Sequence, residues 1–469
     1  MSGQNQEIII LSALSEKSLA LASSAKYIPH RNCDTSSCRK NERRIIFSMK
    51  NRDSVSSYYL ETCKKNHFLL SKRSVVSLVQ KYGRKNKMTV ILISDDEQDN
   101  LLTALQLNSV GWAMSNLNVY AYCSSFESEC LFDNINIQNY TNCVHPMKLR
   151  RLSPIRNEVY QFFYHNSPFE NVQESFGEKW INIVIAGLDQ FGTEMLKAIL
   201  WCCQMEGYFL RVDVFDKNDD AFEVFAMDCP GIVQRGNQPR IGEDYYDLHF
   251  HQGIDLHTYR FFKQLNDIPE PSWVFVSAGN DSENIHISQQ IRSYYAGRQV
   301  EQGIANNHSA NAEQSPRIIT VVRDDETAKM IAHNVLQNFR GQFYHIDCIG
   351  TNSHMYSYEN TLMVGLEKEA LERHLEYGNE EQFHKFEYFR RSSMASAIHF
   401  QYRKALIQED AELAAIVEHR RWCAYMRSTE GYTYGIIRDD LAKKHPDLTA
   451  YDNLSLIAKA KDHALNRSS

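Results

Sequence analysis

Two apolar runs in this 469-residue chain end in nearly the same acidic loop: "TVILISDDEQDN" at residues 89–100 and "WVFVSAGNDSEN" at residues 273–284. Each run has the length and composition of a buried strand, and each loop leads into a helical pattern. Each helix in turn leads to another apolar run, "NVYAYC" from Asn118 and "RIITVV" from Arg317. Strand, helix and strand in that order close as a parallel pair with the helix on one face. The repetition therefore predicts two copies of one α/β unit, each a parallel sheet with helices on both faces.

The second copy is the more explicit. From Trp180 the sequence reads "WINIVIAGLDQFGTEMLKAIL": a strand over 181–186, a turn from Gly187 to Gly192, an amphipathic helix, then a second strand, "LRVDVFD", closing on Asp216. This is the layout of a dinucleotide-binding fold. Glycines permit a tight turn, the helix N-terminus faces an anion, and an acid closing strand two suits ribose hydroxyls. The candidate ligand-binding residues are Gly187, Asp189, Gln190, Phe191, Gly192 and Asp216, joined by Ser277, Gly279 and Arg323 from later strand ends. His249, His251 and His257 give an H-x-H pair plus one. Alternate strand residues share a face, but the plainer reading is a third strand ending at Gly253 and Asp255, and no metal site is assigned.

With "HFHQGID", "VFVSAGNDSEN" and "TVVRDDETAKM" arranged in order after it, the stretch 180–350 resembles the Trk-type nucleotide-binding domain, also called the regulator-of-conductance fold. That family regulates potassium transport. The departure is Asp189, which stands where G-x-G-x-x-G has its middle glycine. A carboxylate about 4 Å from a phosphate charge costs roughly 4 kcal/mol at an effective dielectric of 20, so ordinary NAD binding is doubtful. A protonated Asp189, a bound cation, or a ligand docked by its base or ribose avoids the repulsion. A Rossmann domain kept only for assembly is the plainer alternative.

The first copy is more divergent. Its opening strand, "EIIIL", is followed by no glycine, and Ser12 and Ser15 either donate hydrogen bonds there or cap the next helix. Its second and third strands are expected at "RRIIFSM" from Arg43 and "HFLLS" from His67, and its role is mainly structural. After Cys123 the pattern reads as helical. The expected organisation is a degenerate Rossmann-like domain over 1–145, a helical connection over 146–179, the second Rossmann-like domain over 180–358, and a C-terminal domain over 410–469 docked through a helical linker over 359–409. The polar run 301–316 reads as an exposed insertion.

The last segment, "EHRRWCAYMRSTEGYTYGIIRDDLAKKHPDLTAYDNLS", spaces His419, Trp422, Tyr432, Tyr434, Gly435, His445, Pro446, Leu448 and Tyr451 in a pattern that resembles the ryanodine-receptor repeat. The resemblance implies a binding or regulatory module. Tyr432, Arg438, His445 and Tyr451 are its candidate ligand contacts, with aromatics to stack a base and cations to hold a phosphate. Trp422 is read as core. The fold class is thus α/β: two Rossmann-like doubly wound parallel-sheet domains plus a small, mainly helical C-terminal domain.

A net charge of −7 and a pI near 6.2 give no general reason to bind nucleic acid polymers. The eleven cysteines are scattered and odd in number, which suits reduced cytosolic thiols, and the Cys33/Cys38 pair has no second ligand pair at zinc spacing. No apolar run reaches the ~20 residues of a membrane span. No elbow serine, H-E-x-x-H or Walker lysine is present, so no catalytic residue is assigned. The expectation is a cytoplasmic, non-enzymatic ligand sensor. A small nucleotide is its ligand, a cyclic di- or oligonucleotide first. As the resemblances imply, it gates an ion channel or effector, in bacterial antiviral defence among other settings. The channel segment is either absent from this chain or a separate partner, and assembly as a homodimer or homotetramer is expected. An NAD-dependent oxidoreductase and a protein-interaction scaffold are the competing readings.

Overall fold

The computed structural model describes residues 7–26, 43–49, 56–83, 86–123, 125–170, 172–175, 177–233, 243–301, 316–332, 335–339, 341, 343–407 and 410–466. The Cys33/Cys38 pair and nearly all of the polar run 301–316 lie outside them. The chain forms two compact units, Met1–Asn157 with Asn352–Arg391, and Glu158–Thr351 with Ser392–Ser469.

In the first unit, β1 (Glu7–Leu11), β2 (Arg44–Ser48), β3 (Leu69–Ser71), β4 (Lys87–Leu92), β5 (Leu117–Tyr122) and β6 (Lys148–Leu152) form one sheet in the order β3-β2-β1-β4-β5-β6. All its pairings are parallel. Alternate residues of β1 feed opposite faces: Ile8 and Ile10 pack into one core, Ile9 and Leu11 into the other. That is why the strand reads as a continuous apolar run.

The second unit repeats the arrangement. β8 (Glu178–Ala186), β9 (Tyr208–Phe215), β10 (Asp247–His251), β11 (Trp273–Val276), β12 (Arg317–Val321) and β13 (Ile346–Ile349) run β10-β9-β8-β11-β12-β13, and β7 (Gln173–Ser175) pairs antiparallel with β8. Both sheets therefore have the doubly wound strand order, with the switch point between the first and fourth strands.

One expectation fails at β6. Residues 148–152 lie in the stretch read as a helical connection, yet they are a strand of the first sheet. Of its five residues, Arg150 and Arg151 are buried as ion pairs with Glu367 and Glu129, so the apolar signal of a buried strand is interrupted by two arginines. The expected helical linker is helical, in Val364–Leu375, Glu380–Lys385 and Glu387–Leu406, with residues up to Arg391 in the first unit and those from Ser392 in the second.

The C-terminal segment comprises the helix Ala411–Ser428, the paired dipeptides β14 (Thr433–Tyr434) and β15 (Lys444–His445), a 3-10 turn at Tyr451–Asn453 and the helix Leu456–Ala464. It is built into the second unit. Trp201, fully buried in the helix Gln190–Cys202, meets Tyr425 at 6.3 Å between ring centres. Arg427 forms an ion pair with buried Asp244, Arg420 lies 2.7 Å from Glu206, and Ser428 Oγ donates to the Lys197 carbonyl at 3.0 Å. No helix among the described residues is long and apolar enough to cross a membrane.

Candidate functional site

The repeated loops explain how the sheet ends are shaped. Each closes on a buried asparagine, Asn100 and Asn284, that holds its own loop and the next strand together. Asn284 Oδ1 accepts from the amides of Ala278 (2.8 Å) and Gly279 (3.2 Å), while its Nδ2 donates to the carbonyls of Gly279 (3.3 Å) and Val321 (3.0 Å). Asn100 accepts from Ser94 N at 2.9 Å and donates to the carbonyls of Ser94 (2.9 Å) and Tyr122 (3.0 Å). The side-chain amide does for the loop what a ladder would do for a strand, so the backbone can leave the sheet without unpaired groups. The asparagine stands at the same offset in both repeats, a signal that sequence reasoning could have used and did not.

At the carboxyl end of β8 the chain turns at Gly187, whose φ of +97° is a glycine conformation. A Cβ there would stand 2.3 Å from the Ser277 carbonyl, and one on Gly192 would stand 2.3 Å from the Gly187 carbonyl. The turn thus packs the first helix directly against the ends of β8 and β11.

Asp189 caps that helix. Its Oδ1 accepts from the amides of Phe191 and Gly192, both at 2.9 Å, and from the Ser277 hydroxyl at 2.6 Å. The free amides of a helix N-terminus are where a dinucleotide fold holds its pyrophosphate. Here they are taken by the protein's own carboxylate, which is a stronger departure than the repulsion expected from the sequence. Asp189 is the resident anion rather than a charge beside one.

Asp216, at the end of β9, accepts from Leu188 N at 2.6 Å through Oδ2 and from Asn218 N at 2.7 Å through Oδ1. It braces the Gly187 turn from the second strand, and each oxygen keeps a further lone pair for a hydroxyl or amine donor. Gly279 sits in the β11 loop held by Asn284. A Cβ there would fall 1.9 Å from the Glu283 carboxylate. Arg323, beyond β12, lies over the Phe191 ring at 5.3 Å, and Asp281 receives the amides of Arg323 and Asp324, each at 2.9 Å. Gln190 is the first residue of the helix and is exposed. Gly187, Asp189, Gly192, Asp216, Ser277 and Gly279 are thus gathered at the switch point, with Arg323 reaching it across Phe191.

The first unit closes the same position differently. Ser12 Oγ accepts from Ile93 N at 2.8 Å, and Ser15 and Ser18 exchange amide-to-hydroxyl hydrogen bonds at the start of the helix Glu16–Lys26, at 2.8 and 3.4 Å. Ser12 and Ser15 thus bond within the chain at this turn. The H-x-H pair and His257 find three separate partners: His249 lies 2.8 Å from Asp247, His251 lies 2.9 Å from Asp213, and His257 stacks on His286 at 5.6 Å.

In the C-terminal segment, Tyr432 is buried and donates its hydroxyl to Asp440 at 3.0 Å, while Arg438 Nε reaches the same oxygen at 2.8 Å. Lys443 lies over the Tyr432 ring at 4.8 Å. His445 is buried against Trp422 at 5.0 Å, its Nδ1 accepts from Asp447 N at 3.1 Å, and burial lowers its pKa. Tyr451 is apart from this group, 5.9 Å from His419 and 3.3 Å from His463. Trp422 is half-buried between His419 and His445, whereas Tyr434 is exposed. Tyr432, Arg438 and His445 are brought together, then, but Tyr432 and Arg438 are engaged by the chain's own exposed carboxylate, Asp440.

No protein-family model matches the chain, and no curated protein matches it. Among solved structures, the chain is similar to the crystal structure of a GsuK mutant, at 12% identity and a TM-score of 0.37, covering 78% of this chain and 69% of that one. A likeness of that size carries no argument about what this chain does.

Proposed function

We propose that the chain is a non-enzymatic, ligand-sensing regulatory module. The second Rossmann cleft binds a small nucleotide by its nucleoside part. The observation that carries this reading is Asp189: the glycine turn and the strand-end acid of a dinucleotide fold are kept, but the phosphate position is filled by a carboxylate. What remains for a ligand is an acceptor-rich rim, Asp189 and Asp216, which suits ribose hydroxyls and base amines. Phosphates then lie outward, toward Arg323. A cyclic di- or oligonucleotide fits this order better than NAD, and gating of a channel or effector through a homodimer or homotetramer is the output we assign.

Self-capping in both units favours a second reading, a protein-interaction scaffold with no ligand at either turn. A thermal-shift screen against adenosine, NAD, ADP-ribose, ATP and cyclic di- and trinucleotides separates the two. A ligand present at 100 times its Kd stabilises by about 2.7 kcal/mol. A shift with one nucleotide that Asp216→Asn removes supports sensing. Indifference to the whole set leaves the scaffold.

A further inference from the structure

The buried histidines of this chain fall into two kinds. Burial lowers His374, His384, His399 and His445 below the ordinary imidazole value, so their surroundings favour the neutral ring. His419, in the helix Ala411–Ser428, is enclosed as fully, yet both its ring nitrogens face oxygen acceptors. Its Nε2 stands 2.9 Å from the Thr449 carbonyl and 3.3 Å from Cys423 Sγ, one turn along the same helix. Its Nδ1 stands 3.4 Å from Asp462 Oδ2, on the helix Leu456–Ala464.

A carbonyl and a carboxylate each need an N–H, so serving both takes a proton on each nitrogen. A neutral ring would turn one lone pair toward an acceptor oxygen inside a closed site. The ring also stacks on Trp422, at 5.8 Å between centres and 28° between planes, with Tyr451 at 5.9 Å, and aromatic faces favour a cation. Burial opposes the charge, but Cys423 and Asp462 outweigh it and hold the imidazole above its ordinary value. Burial pushes the Asp462 carboxyl up, His419 and Arg421 pull it down, and Glu418 raises it. Farther along the same helix, His463 lies 2.9 Å from exposed Glu412 and 3.3 Å from the Tyr451 hydroxyl, and Lys459 lies over the Tyr451 ring at 4.8 Å.

We propose that His419 is held as the imidazolium and fastens the helix Leu456–Ala464 to the helix Ala411–Ser428, so that the C-terminal helix docks firmly in mild acid and loosens as the pH rises. The docked ring titrates above the ~6.5 of a free histidine, so the docked state keeps a proton that the undocked state gives up. Docking is therefore at full strength below pH ~6.5 and weakens by up to about tenfold per pH unit above it. This proton-linked latch stands independently of the Gly187 turn and of any ligand there.

The test uses the full chain. Ring NMR with carbon-labelled histidine, the His419 signal being the one missing in His419→Gln, is expected to show a charged ring at pH 7.5, where a free imidazole is mostly neutral. A neutral ring there overturns the proposal. Amide exchange in Leu456–Ala464, corrected for the chemical rate, should lose protection by up to about a hundredfold between pH 6.5 and 8.5, two units at tenfold each. His419→Gln should flatten that profile, and so should Asp462→Asn, which keeps the shape of the side chain and removes the counter-charge. A flat profile in the parent chain overturns the proposal. So does a slope that persists in both variants; if it then disappears in His463→Gln, the exposed pair with Glu412 carries it instead. Should His419→Gln not fold, the ring signal is assigned from its shift in Asp462→Asn, and the exchange profile of that variant decides.

Discussion

The Ser277 hydroxyl donates to the Asp189 carboxylate at 2.6 Å, tying the loop after β11 to the helix start after β8. The same oxygen accepts two helix amides, so one side chain closes the phosphate seat and fastens the switch point. Asp189→Ala therefore loses a cap and a cross-strand tether together. The expected cost is about 2–3 kcal/mol, read as a lowered midpoint in urea unfolding. A loss below about 0.5 kcal/mol would show that the cap contributes little.

Asp189→Gly tests the opposite side of the same contact. Glycine at an N-cap costs only a few tenths of a kcal/mol relative to a polar cap, and it vacates the helix amides. This variant should gain affinity for ADP-ribose or NAD over the parent chain, by up to about three decades if the full repulsion is relieved. Calorimetry showing equal affinities would mean that the carboxylate is not what excludes the pyrophosphate.

Gly187→Ala places a Cβ 2.3 Å from the Ser277 carbonyl at a φ of +97°. Both the clash and the dihedral oppose it, so the second unit should lose at least about 2 kcal/mol in denaturant unfolding. A larger residue such as tryptophan at this position breaks packing between β8 and β11. A substitution at Gly187 is therefore a test of packing rather than of binding.

Asn100→Ala and Asn284→Ala should each cost about 2–4 kcal/mol, because each removes a buried side chain that makes several hydrogen bonds to its loop at once. Similar losses from two positions so far apart in sequence would confirm that the repeat is energetic as well as topological. Hydrogen exchange should localise each loss to its own unit.

The first unit should weaken in mild acid. Burial holds His374 down to about 4, and burial with Arg150, Lys148 and Arg390 beside it holds His384 down to about 2. Lys148 Nζ stands 2.9 Å from His384 Nε2, and Arg150 donates to Nδ1. Both folded values lie below the unfolded value of about 6.5, so the unfolded chain binds more protons. The stability these groups contribute is present above pH ~6.5 and is lost as the pH falls through that value toward 4. Thermal unfolding followed from pH 7.5 to 4.5 should show a falling midpoint, and replacing His374 and His384 with glutamine should flatten the profile.

Both sheets were legible because their strands are apolar runs of the right length separated by helices, and the repeated acidic loops fixed their equivalence. β6 was not, since Arg150 and Arg151 are buried there by carboxylates that lie 22 and 217 residues away in sequence, Glu129 and Glu367. No local pattern carries that pairing. At the candidate site, the sequence marked Asp189 as a departure at the middle glycine and carried the expectation that it repels phosphate. The cap is local, made with the amides of Phe191 and Gly192, but the tether to Ser277 lies in a loop 88 residues further on. In the C-terminal segment the aromatic residues were plain, but the carboxylate that organises Tyr432 and Arg438 is Asp440, one acid in an unremarkable polar run.

A carboxylate fixed two bonds from the backbone competes with any dissolved anion as an intramolecular rival. Such tethered groups act at an effective concentration on the order of millimolar or far higher, depending on how rigidly they are held. Asp189 is held rigidly, by two amides and a hydroxyl. The switch point is in that sense never empty: a dissolved phosphate reaches those two amides only by displacing the chain's own carboxylate.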